Sequence, residues 1–464
     1  MSKMTNKKLA FLALAGLGAL TSGSALASSM TVDSKGGIEV FELEGGKYWF
    51  KIGGRLLFDQ AFFNVDETDI NSFPSGARIR SARLTFKGGV TQDWVYKVDF
   101  DWNDRATHFV NSTSGGVLPN INEAYIGYEG CKNLWFAVGQ LGIPFGLENW
   151  ASVADLPFME PSLATSAFAP QSGLGLYAEW YGDMFTASAM LYEPRAGSFQ
   201  YGGVLSDNPG VIPTTGPFGS TPGSDPLSFA ARVTFSPVHD NYTVYHAGVS
   251  GRWDSMHEHS NFLNYMGSLE VQSRQTPFLT TNIPPNSAKS DQVYGLELAG
   301  RWGPMLLQGE YYWAQVNRDD LYPALDQRNP GGNLDYHGYY VEALYVLTGE
   351  TREYDFDGGT FGGVKPKCRK GAWEVGVRHS FVDLLDRNLD ALPLAVNATP
   401  GADGGFVVRI PGVDVGDLIG SAHSTTIGLT WFVNNNVKFM ANYVRMDLPN
   451  IDVDSFGLRA QVTW

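Results

Sequence analysis

The sequence lacks several features that would place it in a common class. Beyond its N-terminal segment it has no apolar run of 18 residues, so no transmembrane helix is expected. Only 17% of its residues are charged, and no Pro- or Ser-rich linker divides the 464 residues. A chain of this length could hold two or three soluble domains, but the missing linkers favour one large repetitive architecture.

Cysteine is nearly absent. The two that occur, Cys131 and Cys368, are too few for a disulfide framework. Unpaired thiols are the simpler expectation, although an exported chain meets oxidising conditions and a bond between them stays open.

An export signal begins the chain. Lys3, Lys7 and Lys8 precede an apolar run over 9–20, which is followed by Ala25-Leu26-Ala27. This pattern predicts a secretory signal over 1–27, cut after Ala27. Removing three of the 33 basic residues leaves 30 against 48 acidic ones, a net charge of −18. So acidic a surface argues against nucleic-acid binding.

The last ten residues, 455–464, alternate strictly in polarity. Phe456, Leu458, Ala460, Val462 and Trp464 fall on one face of a strand, and polar or small residues fall on the other. A soluble protein would leave this apolar terminal strand as an exposed edge. In an outer-membrane barrel the strand instead faces lipid and pairs with the first strand, which leaves no edge.

The same alternation recurs along the chain after a short periplasmic segment predicted over 28–47. The predicted strands are 48–62, 76–90, 94–103, 121–130, 134–143, 172–181, 184–193, 227–236, 243–253, 291–302, 304–316, 336–348, 371–382, 422–433, 436–447 and 454–464. Segments of about ten alternating residues are typical of membrane barrels. We therefore predict an all-β fold, a transmembrane antiparallel β-barrel of sixteen strands spanning 48–464. A barrel of that size encloses water rather than a packed core.

The connections alternate in length, as they do in outer-membrane barrels with short periplasmic turns and long extracellular loops. The predicted extracellular loops are 63–75, 104–120, 144–171, 194–226, 254–290, 317–335, 383–421 and 448–453. One connection breaks the rule, because 349–370 is long where a short periplasmic turn is expected.

Several motifs resemble the phosphate-selective porin O and P family. They are GRLLFDQAFF at 54–63, SGARIRSARLTFKGG at 75–89, YKVDFDW at 96–102, VGQLGIPFGLEN at 138–149, FMEPSLATSAFAPQSGLG at 158–175, LTGETREYD at 347–355, GAWEVGVRHS at 371–380 and IGLTWFVNNNVKFMANYVR at 427–445. The resemblance implies a homotrimer in the outer membrane of a Gram-negative bacterium, in contact with its lipid, that passes phosphate and similar anions.

The resemblance also implies that loop 144–171 folds inward as a constriction loop. Family members selective for phosphate supply a lysine from this loop, whereas its charged residues here are Glu148, Asp155 and Glu160. The arginine pair of the second strand is interrupted as well, in Arg80-Ser81-Ala82-Arg83. These departures keep open a general or weakly selective porin without a phosphate site.

Strand parity predicts which charges line the pore. If the apolar faces of the first three strands and the last meet lipid, a set of basic residues faces the channel. This basic wall comprises Arg55, Arg83, Lys97, Arg459, Lys87 and Lys51. Arginine and lysine ladders are how pores favour anions. The sequence thus suggests a basic wall opposite an acidic constriction loop, although lumen charges that merely solvate the channel remain an alternative.

Other classes fit less well. An outer-membrane hydrolase needs Ser and His at one site, but the strand histidines His246, His337 and His379 have no nucleophile motif beside them. No metal-spaced cluster and no cofactor motif is present, so we predict no enzyme, catalytic residue, metal or cofactor. An adhesin-type surface barrel, whose long loops carry its function, is a further alternative.

Overall fold

The computed structural model describes residues 30–32, 38–43, 48–65, 73–102, 120–194, 227–255, 263, 265–273, 278–281, 283, 288–318, 333–386, 398–400, 406–409, 416–449 and 451–464. The predicted export signal and its cleavage position at Ala27 lie outside these residues. None of the helices within these residues is long and apolar enough to cross a membrane.

Sixteen antiparallel strands form one closed sheet, as the sequence predicted. Numbered β1 to β16, they are Tyr48–Asn64, Gly76–Gly89, Trp94–Trp102, Asn120–Cys131, Leu134–Gly142, Ser172–Tyr181, Phe185–Pro194, Ser228–His239, Thr243–Ser255, Ala288–Trp302, Met305–Arg318, Leu334–Val346, Ala372–Asp383, Ser421–Phe432, Val437–Leu448 and Ile451–Thr463.

The barrel closes between its last and first strands. β16 pairs antiparallel with β1 from Thr463 opposite Arg55 to Asp454 opposite Asn64. Trp464 and Gly54 then exchange two backbone hydrogen bonds, of 2.9 and 3.0 Å. No edge of β1 or β16 is left open over this stretch, which removes the hazard of an apolar terminal strand.

The two faces of the sheet differ in chemistry. Apolar side chains point outward, so that Leu176, Leu296 and Leu298 expose 59%, 57% and 68% of their surface. Charged residues of the strands, such as Arg232 of β8, Glu297 of β10 and Arg378 of β13, point inward and are buried. Alternation of apolar-out and polar-in residues is the pattern of a membrane barrel.

Short turns join the strands at one end of the barrel. In the β8–β9 turn the Asp240 side chain accepts hydrogen bonds from the backbone N–H groups of Tyr242 and Thr243, at 2.7 and 2.6 Å. Asn434 does the same in the β14–β15 turn for Asn436 and Val437. Asp and Asn favour such turns because their short side chains bond the backbone a few residues on.

Three connections carry residues that contact the inward faces of strands. The β5–β6 connection holds helices α1 (Leu147–Trp150) and α2 (Leu163–Phe168). The β9–β10 connection includes strands Met266–Ser268 and Phe278–Thr280, which belong to a small second sheet with Ala398–Pro400, Phe406–Arg409 and Gly416–Ile419. The long β12–β13 connection forms a hairpin of Arg352–Asp355 and Thr360–Val364.

Two details of the first strands were not part of the sequence-based prediction. Segment 28–47 was expected to precede the sheet, but Ile38–Leu43 pairs with the first residues of β1, and Met30–Val32 pairs with Ile38–Leu43. The glycine pairs at 53–54 and 88–89 are natural places for a β-bulge, yet the pairing of β1 with β2 is regular there. Its irregularity lies at Arg80, which is skipped between the pairs Leu57–Ser81 and Phe58–Ile79.

The two cysteines are unpaired. Cys131 ends β4 and Cys368 lies in the β12–β13 connection, and both thiols are exposed and free.

Candidate functional site: the barrel interior

Three lysines of neighbouring strands stand side by side on the inner wall. Lys51 of β1 pairs in register with Lys87 of β2, and Lys87 pairs with Lys97 of β3. We call these three residues the lysine row. Like charges directly opposite one another destabilise a sheet unless counter-charges compensate them. The carboxylates of Glu123 and of Asp99, the latter 3.3 Å away, compensate the positive charge of the Lys97 ammonium group.

Arginines form the next level of the same wall. Arg55 pairs in register with Arg83, and Arg83 with Asp101. Arg83 Nη2 lies 2.9 Å from an Asp101 carboxylate oxygen, and Arg55 donates through Nε to the Ser81 hydroxyl at 3.0 Å. The Ser81 hydroxyl in turn donates to Asp101 at 2.9 Å. This network holds both guanidinium groups on the inner wall of β1–β3.

Three bases of this wall keep contact with solvent, whereas Arg55 and most of the acids are buried. The Arg80, Arg83 and Lys97 side chains expose 21%, 19% and 24% of their surface. Asp99 and Asp101 expose only 1% and 6%. A solute next to this wall therefore meets mainly positive charge, because the carboxylates lie behind the cations that they neutralise.

Glu160 of the β5–β6 connection is bound to β2 and to the neighbouring strand β16 on the inner face of the barrel. Its carboxylate pairs with Arg78, with Arg80 Nε at 2.7 Å and with Arg459 Nη2 at 2.9 Å. Arg78 and Arg459 also share Asp59, at distances of 2.6 to 3.2 Å. Burial alone would raise the pKa of Glu160, but the three guanidinium groups outweigh it and hold that pKa well below its usual range. Glu160 is thus an ionised anchor.

Glu148 anchors the same connection to a different part of the barrel. Arg378 of β13 donates to its carboxylate at 2.9 Å and also lies 2.9 Å from Glu270 of the β9–β10 connection. Carboxylate oxygens of Glu310 on β11 accept hydrogen bonds from the first N–H groups of α1, those of Leu147 and Glu148, at 2.7 and 2.8 Å. These N–H groups have no partner within the helix, so the inward glutamate supplies one.

The β5–β6 connection therefore touches strands on both sides of the barrel, β2 and β16 through Glu160 and β11 and β13 through Glu148. Asp155 adds a backbone contact, since its carbonyl accepts a hydrogen bond from Arg352 at 2.9 Å. A segment tied to strands so far apart around a closed sheet lies within the barrel.

The β12–β13 hairpin also contacts the interior, from the end where the short turns lie. Arg232 of β8 donates to the Gly358 and Gly359 carbonyls at 2.9 and 2.8 Å. Tyr354 is hydrogen-bonded to His246 Nδ1 at 2.8 Å. Phe361 is buried in a cluster with Leu147 and other apolar side chains of the interior.

The structure brings together five of the six residues predicted for the basic wall: Arg55, Arg83, Lys97, Lys87 and Lys51. Arg459 differs, because its side chain has no exposed surface and forms buried ion pairs with Asp59 and Glu160. The acids of the loop differ as well. Glu148 and Glu160 do not face the wall across an open gap but are themselves paired with arginines.

Sequence reasoning missed Arg78 and Arg80 as partners of the loop, and it missed Glu270 and Arg352. The bulge at Arg80 lets Arg78, Arg80 and Ser81 all contact interior groups, which strict alternation forbids. The only signal for the hairpin was the unusual length of 349–370.

Comparison with known proteins gives a consistent picture. The model of the phosphate-selective porin O and P family matches residues 50–463. Porin O of Pseudomonas aeruginosa is 28% identical over 98% of each chain. Among solved structures, OprB of Pseudomonas putida has a TM-score of 0.49 at 10% identity, covering 89% of this chain and 94% of that one. The outer membrane channel DcaP of Acinetobacter baumannii has a TM-score of 0.47 at 12% identity, covering 91% and 99%.

Proposed function

The chain belongs to the phosphate-selective porin O and P family and is an outer-membrane porin, and we propose that its channel passes small anions, phosphate among them, along the wall of β1–β3. The observation that carries this proposal is the register of Lys51, Lys87 and Lys97 on adjacent strands. Together with Arg83 they line one side of the barrel with positive charge over several residues of depth.

The path of solutes through the barrel follows from which parts of its interior are occupied by protein. Inward side chains of β10–β13 are almost fully buried; Glu297, Glu342 and Arg378 expose 1%, 1% and 0%. On β2 and β3, in contrast, Arg83 and Lys97 keep a fifth to a quarter of their surface exposed. The inserted segments thus fill the barrel interior more completely beside β10–β13 than beside the lysine row, where space is left for water and solutes.

Positive side chains along a narrow path raise the local concentration of anions. The Arg83 and Lys97 side chains stay in contact with water and do not enclose a single binding site. We therefore expect a channel that prefers anions and binds phosphate only moderately, since the β5–β6 connection contributes no lysine. A general or weakly selective porin is the alternative outcome of the test.

The test is the reversal potential of the purified protein in a planar bilayer under a potassium chloride gradient, followed by addition of phosphate. We expect chloride to be preferred over potassium and phosphate to reduce the chloride current. Lys87→Gln and Arg83→Gln should each lower the anion-to-cation permeability ratio several-fold. Arg445→Gln is the matched control. Arg445 lies near the C-terminal end of β15, far from the lysine row in sequence, and its side chain is 53% exposed among Asp447, Asp452 and Asp454.

An unselective wild-type channel would contradict the anion preference. A selective channel whose ratio is unchanged in both variants would show that the preference does not come from this wall.

Assembly and export are proposals of the same kind. The family resemblance supports a homotrimer, which native mass spectrometry of the detergent-solubilised protein would test. The N-terminal pattern supports removal of residues 1–27, which N-terminal sequencing of protein isolated from outer membranes would test.

A further inference from the structure

Next to the lysine row lies a continuous set of aromatic side chains. Tyr125 of β4 and Trp135 of β5 meet edge-on, with ring centroids 5.5 Å apart and planes at 77°. Trp135 meets Tyr177 of β6 at 5.1 Å, and Tyr177 stacks on Trp150 of α1 at 6.2 Å with planes at 9°. We call these four residues the aromatic patch.

All four rings lie on the inner side of the barrel. Trp135 and Tyr125 alternate along their strands with outward-facing residues; Phe136 and Ile126 are 41% and 53% exposed. Gly127 makes room for the indole, because a Cβ atom at that position would lie 2.8 Å from Trp135 Nε1. The Trp135 ring therefore lies across β4 toward β3, the strand that carries Lys97.

One ring of the patch is buried and the other three are partly accessible. Tyr177 is 3% exposed, whereas Tyr125, Trp135 and Trp150 are each half-buried. Tyr177 belongs to a buried apolar cluster of the barrel interior, and Tyr125, Trp135 and Trp150 pack against that cluster. These three partly exposed rings, which the ring contacts hold in a fixed arrangement, present a flat apolar surface to the lumen.

Charge is distributed unevenly around this surface. Tyr125 pairs in register with Lys97, so the lysine row lies next to one side of the patch. Glu179 pairs in register with Trp135 on the other side. A bound molecule with one negative end would be oriented with that end toward Lys97 and away from Glu179.

We propose that this part of the pore binds organic phosphates in which the phosphate is attached to a flat ring. The phosphate lies at the lysine row and the ring stacks on Trp135 and Trp150. This inference rests on the anion preference proposed above and adds a ring subsite to it. Aromatic stacking tolerates many ring chemistries because each flat ring offers a π face. The class therefore includes aryl phosphates and nucleotide-like molecules.

The experiment compares three probes that block chloride current through the full-length porin in a planar bilayer. Phenyl phosphate carries a flat ring, cyclohexyl phosphate carries a ring of similar size that cannot stack, and inorganic phosphate carries none. We expect phenyl phosphate to half-block the current at roughly a tenth of the concentration needed for cyclohexyl phosphate, as stacking of one ring implies.

Two substitutions locate the effect. Trp135→Leu and Trp150→Leu should each remove most of the advantage of phenyl phosphate while leaving block by inorganic phosphate unchanged. The control is Trp180→Leu, because Trp180 lies on β6 beside the patch but is 43% exposed on the outer face.

Equal half-blocking concentrations for phenyl and cyclohexyl phosphate in the wild-type protein would overturn the ring subsite, whether or not the variants fold. In that case, block by inorganic phosphate would leave the proposed anion channel standing. If none of the three phosphates blocked the current, the proposed function itself would fail. An advantage of phenyl phosphate that survives in both tryptophan variants would place the ring elsewhere and also overturn the inference.

Discussion

Arg352 and Glu374 form a bidentate ion pair, with Nε and Nη2 of the arginine 2.8 and 2.7 Å from the two carboxylate oxygens. Both side chains are 2% exposed. The pair ties the β12–β13 hairpin to the inner face of β13, and Arg352 also donates to the Asp155 and Gly362 carbonyls. One side chain thus joins the barrel wall, the hairpin and the β5–β6 connection.

We predict that Arg352→Gln loosens the hairpin and widens the channel. Removing one partner of a buried ion pair leaves the other without compensation, at a cost of about 3–5 kcal/mol. With its anchor lost, the hairpin should leave the barrel part of the time. Single-channel recordings should show noisier steps of larger amplitude. Arg369→Gln in the same connection is the control, since Arg369 is exposed. Steps of wild-type size and noise would count against the hairpin as an obstruction.

A second prediction concerns Arg378, whose guanidinium is fully buried between Glu148 and Glu270 and lies over the Phe158 ring at 4.6 Å. Arg378→Met should leave two buried carboxylates without their cation and destabilise the protein by about 3–5 kcal/mol. The measurement is thermal unfolding in detergent, monitored as the loss of the fast-migrating band of the folded barrel on gels. Arg445→Met removes only exposed pairs and should cost about 0–1 kcal/mol. Similar unfolding temperatures for the two variants would contradict this role for Arg378.

Arg459 should behave differently from Arg83, although parity places both on the inner wall. Arg459 is fully buried with Asp59 and Glu160, so Arg459→Gln should lower thermal stability strongly and change the reversal potential less than Arg83→Gln does. Both quantities can be measured on the same preparations. A larger selectivity change in Arg459→Gln than in Arg83→Gln would mean that Arg459 contacts passing ions.

Glu160 should make stability depend on acid pH. Because the arginines around it depress its pKa in the folded protein below the ordinary value of 4.5, its contribution is complete above that value and is lost as pH falls below it. Glu160→Gln lacks this contribution. The unfolding temperatures of wild type and variant should therefore differ most at neutral pH and converge below pH 4.5. A difference that stays constant with pH would argue against an ionised Glu160.

The strands and their orientation could be predicted because they depend on a local signal. Period-two alternation places Lys51, Lys87 and Lys97 inward without knowledge of any partner, and the register of adjacent strands then aligns them. The closing strand is equally local, since Phe456 to Trp464 alternate without a break.

The contents of the barrel could not be predicted in the same way. The pair of Arg378 with Glu270 joins residues 108 positions apart, and that of Arg459 with Asp59 joins residues 400 apart. Neither the loop around Glu270 nor the hairpin around Arg352 has a periodicity that would indicate burial. Alternation shows that Arg378 and Arg459 point inward, but not whether they meet water or an inserted carboxylate.

The seam between β16 and β1 also constrains how the molecule is made. Asp59 and Arg459 lie 400 positions apart, so the backbone edge of β1 has no partner until the last strand of the chain is in place. Contacts between such distant residues form slowly because a long loop must close first. Any sheet formed before that point would have two unpaired edge strands, which can pair with other molecules. Closure of the barrel should therefore be the late, slow step of folding, and truncation of β16 should promote aggregation.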